Sequence, residues 1–185
     1  MTTILNFSYG SNLLGRRMKQ RVPSARPVQT AVLRGYVLRW HKAGQDGSAK
    51  CDIVPSESAG DLVHGVVYEL AVAEKHFLDA AEGLGHGYEE MQVVLETASG
   101  ASINVWTYYA TDKDAALQPF TWYKALVVAG ALEHGLPADY IDRLQAVPAI
   151  EDPDTRRAGL HWALASPLAS ANEPGKQLLS MGRQS

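Results

Sequence analysis

Cysteine is nearly absent: Cys51 is the sole example in 185 residues. One cysteine cannot form an internal disulfide, so the chain depends on its core and needs no oxidising compartment. The thiol reads as a small, half-buried residue rather than a reactive one. Long apolar runs are missing too, and none approaches the roughly 20 residues that span a bilayer. The first residues show no charged segment followed by a long apolar one, so no secretory leader is expected. Nor is there an excess of positive charge. Lys and Arg number 17 against 20 Asp and Glu, a net −3, which gives no electrostatic reason to bind nucleic acid. Arg16, Arg17, Lys19 and Arg21 do cluster, but a single basic helix is ordinarily a solvated face. A cytoplasmic protein that engages neither nucleic acid nor membrane is expected.

Familiar cofactor strings are missing as well. The six histidines, His41, His64, His76, His86, His134 and His161, form no His-x-x-x-His pair. His86 with Glu82, Glu89 and Glu90 comes nearest to a cation cluster, without a specific spacing. There is no Walker loop, no Gly-x-Gly-x-x-Gly and no Gly-x-Ser-x-Gly around Ser11. Neither a metal nor an organic cofactor is expected.

Apolar residues make up 46% of the chain and charged residues 20%, enough for one domain with a substantial core. Ile4 to Tyr9 reads as a buried strand, and Leu13 to Gln20 as a helix capped by Ser11 or Asn12. Pro23 and Pro27 exclude regular structure until Val28 to Trp40, a long strand with a bulge at Gly35. His41 to Lys50 reads as a loop, and Asp52 to Pro55 and His64 to Leu70 as strands. Ala73 to Ala81 reads as a helix presenting Phe77, Leu78 and Ala81 on one face and stopped by Gly83. Met91 to Glu96 and Ile103 to Tyr109 flank a hairpin turn at Ala98-Ser99-Gly100. Three helices follow: Thr121 to His134, one from Pro137 to Val147, and one opened by Asp152-Pro153-Asp154. The tail from Ser166, rich in Ser, Ala, Gly and Pro, is expected to be disordered. The order of elements gives an α+β domain, a compact sheet or barrel covered by helices.

Two strings carry chemistry. Phe7-Ser8-Tyr9-Gly10-Ser11-Asn12-Leu13 takes a strand into a glycine turn that can aim backbone N–H groups at an anionic or carbonyl oxygen. Leu78-Asp79-Ala80-Ala81-Glu82-Gly83 ends a helix with a carboxylate beside the stop glycine. A helix C-terminus carries partial negative charge, which disfavours the ionised carboxylate and suits it to moving protons. Asp79 is the rival carboxylate. Tyr109, Trp122 and Tyr123 fit a core, although one tyrosine can present its hydroxyl to a ligand.

Taken in order, these strings resemble the gamma-glutamylcyclotransferase family, the gamma-glutamylcyclotransferase-like or AIG2-like fold. The resemblance runs through the Tyr-Gly-Ser-Asn-Leu turn, Asp52-Ile53-Val54-Pro55, Gly65-Val66-Val67-Tyr68 and the Glu82-Gly83 helix end. It continues through Tyr88 and Tyr123 to Gly130-Ala131-Leu132-Glu133-His134-Gly135-Leu136-Pro137, with Tyr140 and Leu144. It covers about residues 4 to 148, so a family domain over 1–150 is expected, followed by a helix and tail over 151–185. The resemblance implies a small mixed, mainly antiparallel β-barrel flanked by helices. It also implies release of 5-oxoproline from a gamma-glutamyl amide without a cofactor. By position Glu82 matches the catalytic glutamate. Asn6, Phe7, Ser8, Tyr9, Gly10 and Ser11 match the substrate-holding loop, and Tyr123 a pocket tyrosine. Asn12 and Tyr88 are further candidates, and a homodimer is compatible with the resemblance. The leaving amine stays open between a free amino acid and a modified amine of one pathway. A binding or assembly protein on the same scaffold is the alternative outside catalysis.

Overall fold

The computed structural model describes residues 2–58 and 60–166. Strands β1 (Thr3–Ser8), β2 (Arg26–Arg34), β5 (Leu62–Ala71), β6 (Tyr88–Thr97) and β7 (Ser102–Ala110) close into a barrel in the order β1-β5-β2-β6-β7. All pairings are antiparallel except the closing one, where β1 meets β7 in parallel at Asn6 and Trp106. β5 lies between β1 and β2 and buries Val63, Val66, Val67, Tyr68 and Leu70, which explains its nearly continuous apolar sequence. The barrel is thus mixed and mainly antiparallel, flanked by helices as expected.

The segment read as one strand over Val28 to Trp40 is two. Gly35 adopts φ +73°, a left-handed turn open to glycine, and β3 (Tyr36–Ala43) leaves the barrel. β3 pairs with β4 (Ala49–Pro55) as a separate two-stranded sheet. This corrects the expected loop from His41 to Lys50, whose flanks pair Lys42 with Lys50 and Ala43 with Ala49. The irregularity in β2 falls between Pro27 and Gln29 rather than at Gly35. A bulge tolerates the missing N–H of Pro27, so that proline lies within the strand.

Helix α1 (Gly15–Arg21) follows a 3-10 turn over Ser11–Leu13, and neither start has a side-chain cap. Ser11 and Asn12, expected as caps, are buried and engaged elsewhere. Helix α2 (Lys75–Glu82) stops where Gly83 turns left-handed at φ 73°. Of the face expected inside, Leu78 is buried, whereas Phe77 is 48% exposed and Ala81 also faces out. Helices α3 (Thr121–Glu133), α4 (Ala138–Gln145) and α5 (Thr155–Ala165) complete the fold. Among the described residues no helix is long and apolar enough to cross a membrane. The tail expected to be disordered lies, beyond Ser166, outside the described residues.

Asp152 fixes α5 against α3. Its carboxylate accepts from Trp122 Nε1 at 2.8 Å, from the Arg157 guanidinium at 2.7 and 2.5 Å, and from the Asp154 N–H at 2.9 Å. The Asp154 side chain in turn caps α5 through the Arg157 N–H. Arg157 above all, with Trp122, holds the Asp152 carboxyl well below the usual carboxylate range. A carboxyl depressed in the fold stabilises it above the unfolded value of about 4, and that stability fades as pH falls toward the folded value. Asp152→Asn is therefore expected to lower the thermal midpoint at pH 7. The gap to wild type should stay constant down to about pH 5 and narrow below about pH 4. Melting curves across pH check this, and a gap that widens in acid would contradict it.

Candidate active site

The C-terminal end of β1, the 3-10 turn, Cys51 of β4 and the end of α2 converge on one pocket, with Tyr88, Tyr108 and Tyr123 completing its wall. Asn6, Phe7, Ser8, Tyr9, Gly10, Ser11, Asn12, Glu82, Tyr88 and Tyr123 all line it. Residues distant in sequence meet here because β1, held in the barrel wall between β5 and β7, runs into its turn at the spot where α2 ends.

Glu82 Oε1 accepts from Asn12 Nδ2 at 2.6 Å and from Arg21 at 2.6 Å, and Arg21 also donates to Asn12 Oδ1 at 2.8 Å. Arg21 and the Asn12 amide thus give the helix-end carboxylate two short hydrogen bonds, one of them from a cation. Both donors take Oε1, and Oε2 accepts from no protein group among the described residues. Asp79, the rival, lies behind the wall. It accepts from Lys75 Nζ and from Tyr108 Oη, each at 2.6 Å, and does not line the pocket.

In the turn, Leu13 N–H closes on Gly10 O at 2.9 Å, while the N–H groups of Gly10 and Ser11 donate to no protein acceptor among the described residues. Ser11 Oγ accepts from Arg17 Nε at 3.0 Å. The aromatic hydroxyls are fixed by backbone. Tyr9 donates to Tyr108 O at 2.7 Å and Tyr88 to Cys51 O at 2.6 Å, and Tyr123 Oη accepts the Cys51 N–H at 3.0 Å. Burial above all raises the Tyr9, Tyr88 and Tyr123 phenols well above their ordinary value, so each stays neutral. Cys51 is 1% exposed, not half-buried, and burial pushes its thiol up to about 12. It offers no thiolate nucleophile near neutral pH.

Beside this pocket lies a wider basin of about 290 Å³ that shares Ser11, Glu82, Tyr88 and Tyr123 with it. Arg17 and Arg21 of α1 line the basin, with Lys42, Asp46, Lys50 and His161. The cluster read as a solvated basic face is thus divided. Lys19 is exposed, while Arg17 and Arg21, four residues apart, turn inward. Their i,i+4 spacing was the available signal. Trp122 is buried in the core as read, and its ring also lines the basin and stacks on His161 with ring centroids 3.9 Å apart. Tyr109 is half-buried against the core. His86 is exposed on a loop at the basin's edge. Among the described residues no three His, Cys, Asp or Glu side chains gather as a metal site.

Residues 62–144 match the profile of the AIG2-like family. A human gamma-glutamylcyclotransferase (Homo sapiens) is 33% identical over 149 residues, covering 78% of this chain and 79% of its own length. The gamma-glutamylcyclotransferase of Mus musculus is 34% identical over 157 residues, with the same coverage of 78% and 79%. A solved structure of a gamma-glutamyl cyclotransferase superposes with a TM-score of 0.74 at 31% identity, over 80% of this chain and 90% of that one.

Proposed function

The chain belongs to the gamma-glutamylcyclotransferase family of enzymes, and from that premise we propose that it cyclises gamma-glutamyl amides to 5-oxoproline with Glu82 as the proton shuttle. The observation that carries the proposal is that, among the described residues, Oε2 of Glu82 and the N–H groups of Gly10 and Ser11 have no protein partner and belong to one pocket.

The chemistry asks little of a protein. The attacking α-amine and the γ-carbonyl belong to one donor, so folding the donor against the pocket wall makes the attack intramolecular. Glu82 takes one proton from the α-ammonium, and the freed amine adds to the carbonyl. The Gly10 and Ser11 N–H groups stabilise an anionic oxygen of the donor, either its carboxylate or the oxyanion of the adduct. The ring nitrogen then loses a second proton and the C–N bond to the leaving amine breaks. Glu82 carries the protons in turn, so that two leave the α-nitrogen and two reach the leaving nitrogen. Arg21 and Asn12 hold Oε1 and keep Oε2 turned to the donor. Tyr123 shapes the wall and fixes the β4 backbone behind Gly10.

No step calls for a Lewis acid. In an assay of 5-oxoproline release from gamma-glutamyl amino acids and amines, turnover is expected and should survive dialysis against a chelator. Loss on chelation with recovery on adding one divalent ion would contradict the cofactor-free step. Turnover confined to bulky amides would point to a pathway-specific amine. Ligand binding without turnover would mark a binding protein.

A further inference from the structure

The basin beside Glu82 presents four cations, and two of them are already neutralised. Arg21 pairs with Glu82 at 2.6 Å, and Lys50 pairs with Asp46 at 2.7 Å. Arg17 and Lys42 have no carboxylate partner among the described residues, yet Arg17 is only 8% exposed and Lys42 only 7%. A buried charge without a counter-charge is expensive and marks a place where a ligand supplies one.

Their few contacts leave donors to spare. Arg17 spends Nε on Ser11 Oγ at 3.0 Å and one terminal nitrogen on His161 Nδ1 at 3.4 Å. Burial first, then Arg17 and the other cations, lower His161 to about 4, so the ring is neutral near pH 7 and able to accept from Arg17. Lys42 spends one N–H on the Ala43 carbonyl at 2.7 Å and rests over the Tyr88 ring at 5.1 Å. Both cations line the basin, and the basin shares Glu82 with the pocket.

We propose that the basin receives the leaving amine and that this amine carries two anionic groups, one set against Arg17 and the other against Lys42. The inference rests on Glu82 being the proton shuttle. A leaving group with one carboxylate satisfies one buried cation and leaves the other unmatched. A second carboxylate or a phosphate satisfies both. A neutral amine satisfies neither.

The test compares kcat/KM for four gamma-glutamyl donors. Their leaving amines are glutamate, O-phosphoserine, alanine and ethylamine. Each matched charge is expected to add about tenfold, so one or both dianionic donors lead the alanine donor about tenfold and the ethylamine donor about a hundredfold. Whichever dianion leads identifies the second anion as carboxylate or phosphate. Lys42→Met is expected to cut turnover of that donor about tenfold more than turnover of the ethylamine donor, and Lys42→Arg to restore the preference. Equal kcat/KM across the panel, or an alanine donor equal to both dianions, would overturn the proposal while leaving the cyclisation intact. If no donor is cleaved, the cyclisation itself fails. Calorimetric titration of the four free amines then still reads the basin, where tighter dianion binding lost in Lys42→Met supports the proposal and equal binding overturns it.

Discussion

Glu82→Gln is expected to lower kcat for 5-oxoproline release by about a hundredfold to ten-thousandfold, the range that a positioned acid–base group contributes. The amide matches the carboxylate in size and can still accept from Asn12 or Arg21 through its oxygen. It cannot take up the ammonium proton, and it presents a donor nitrogen where the proposal needs an acceptor. The fold should tolerate the change. Glu82 ends α2 rather than filling the core, and its ion pair with Arg21 is partly solvated, with side chains 16% and 20% exposed. Removing the charge from such a mostly buried pair costs about 1 to 3 kcal/mol, so the thermal midpoint should fall by a few degrees, at most about 12 °C, in a chain of this size. Near wild-type turnover in a folded variant would remove Glu82 from the mechanism and return attention to Asp79.

Gly10→Val is expected to be nearly as damaging by a different route. A Cβ at Gly10 would lie 3.2 Å from both Cys51 Cβ and Tyr123 Oη, closer than side chains ordinarily pack, and valine adds two further methyl groups. Cys51 sits on a paired strand and Tyr123 on a buried helix, so the turn must give way instead, carrying the Gly10 and Ser11 N–H groups off their positions. A displacement near 1 Å in a positioning group costs about a hundredfold in rate. Crowding of this kind costs about 1 to 3 kcal/mol of stability. Left-handed strain is not part of the effect, because Gly10 has φ −106°. Ser11→Ala provides the comparison. It removes the acceptor for Arg17 Nε but leaves the N–H in place, and a loss below about tenfold is expected, the worth of one hydrogen bond. Kinetics and melting of both variants decide the matter, and full activity in Gly10→Val would reduce the turn to a connector.

Much of this architecture was legible in the residues. Runs of apolar and β-branched residues marked β5, β6 and β7, and the Ala98-Ser99-Gly100 turn joined the last two. The stop glycine after Glu82 and the Asp154 cap of α5 acted as their types suggest. Gly35 misled because apolar residues continue on both sides of it, Val32-Leu33 before and Tyr36-Val37-Leu38 after, and only the backbone angle separates a bulge from a turn. The polar ends of β3 and β4 resembled a loop because this sheet has just two strands and its pairing includes charged residues. At the candidate site, the strings around Gly10 and Glu82 could be named, but their partner could not. Arg21 looked like one more surface cation. What turns it inward is the docking of α1 beside α2, a long-range contact; the i,i+4 spacing puts Arg21 on one face with Arg17 but does not say which way that face turns. Arg17, Lys42 and His161 escaped for the same reason, since α1, β3 and α5 meet around the basin only after the barrel has closed.

The identity of the product in isotopically labelled water tests the central claim most directly. Incubated with gamma-glutamyl-alanine in water enriched in oxygen-18, the protein should release alanine and an equal amount of 5-oxoproline. That 5-oxoproline should carry no label, because the donor's own amine attacks the carbonyl. Release of glutamate bearing the heavy oxygen would show water as the nucleophile and would contradict the account.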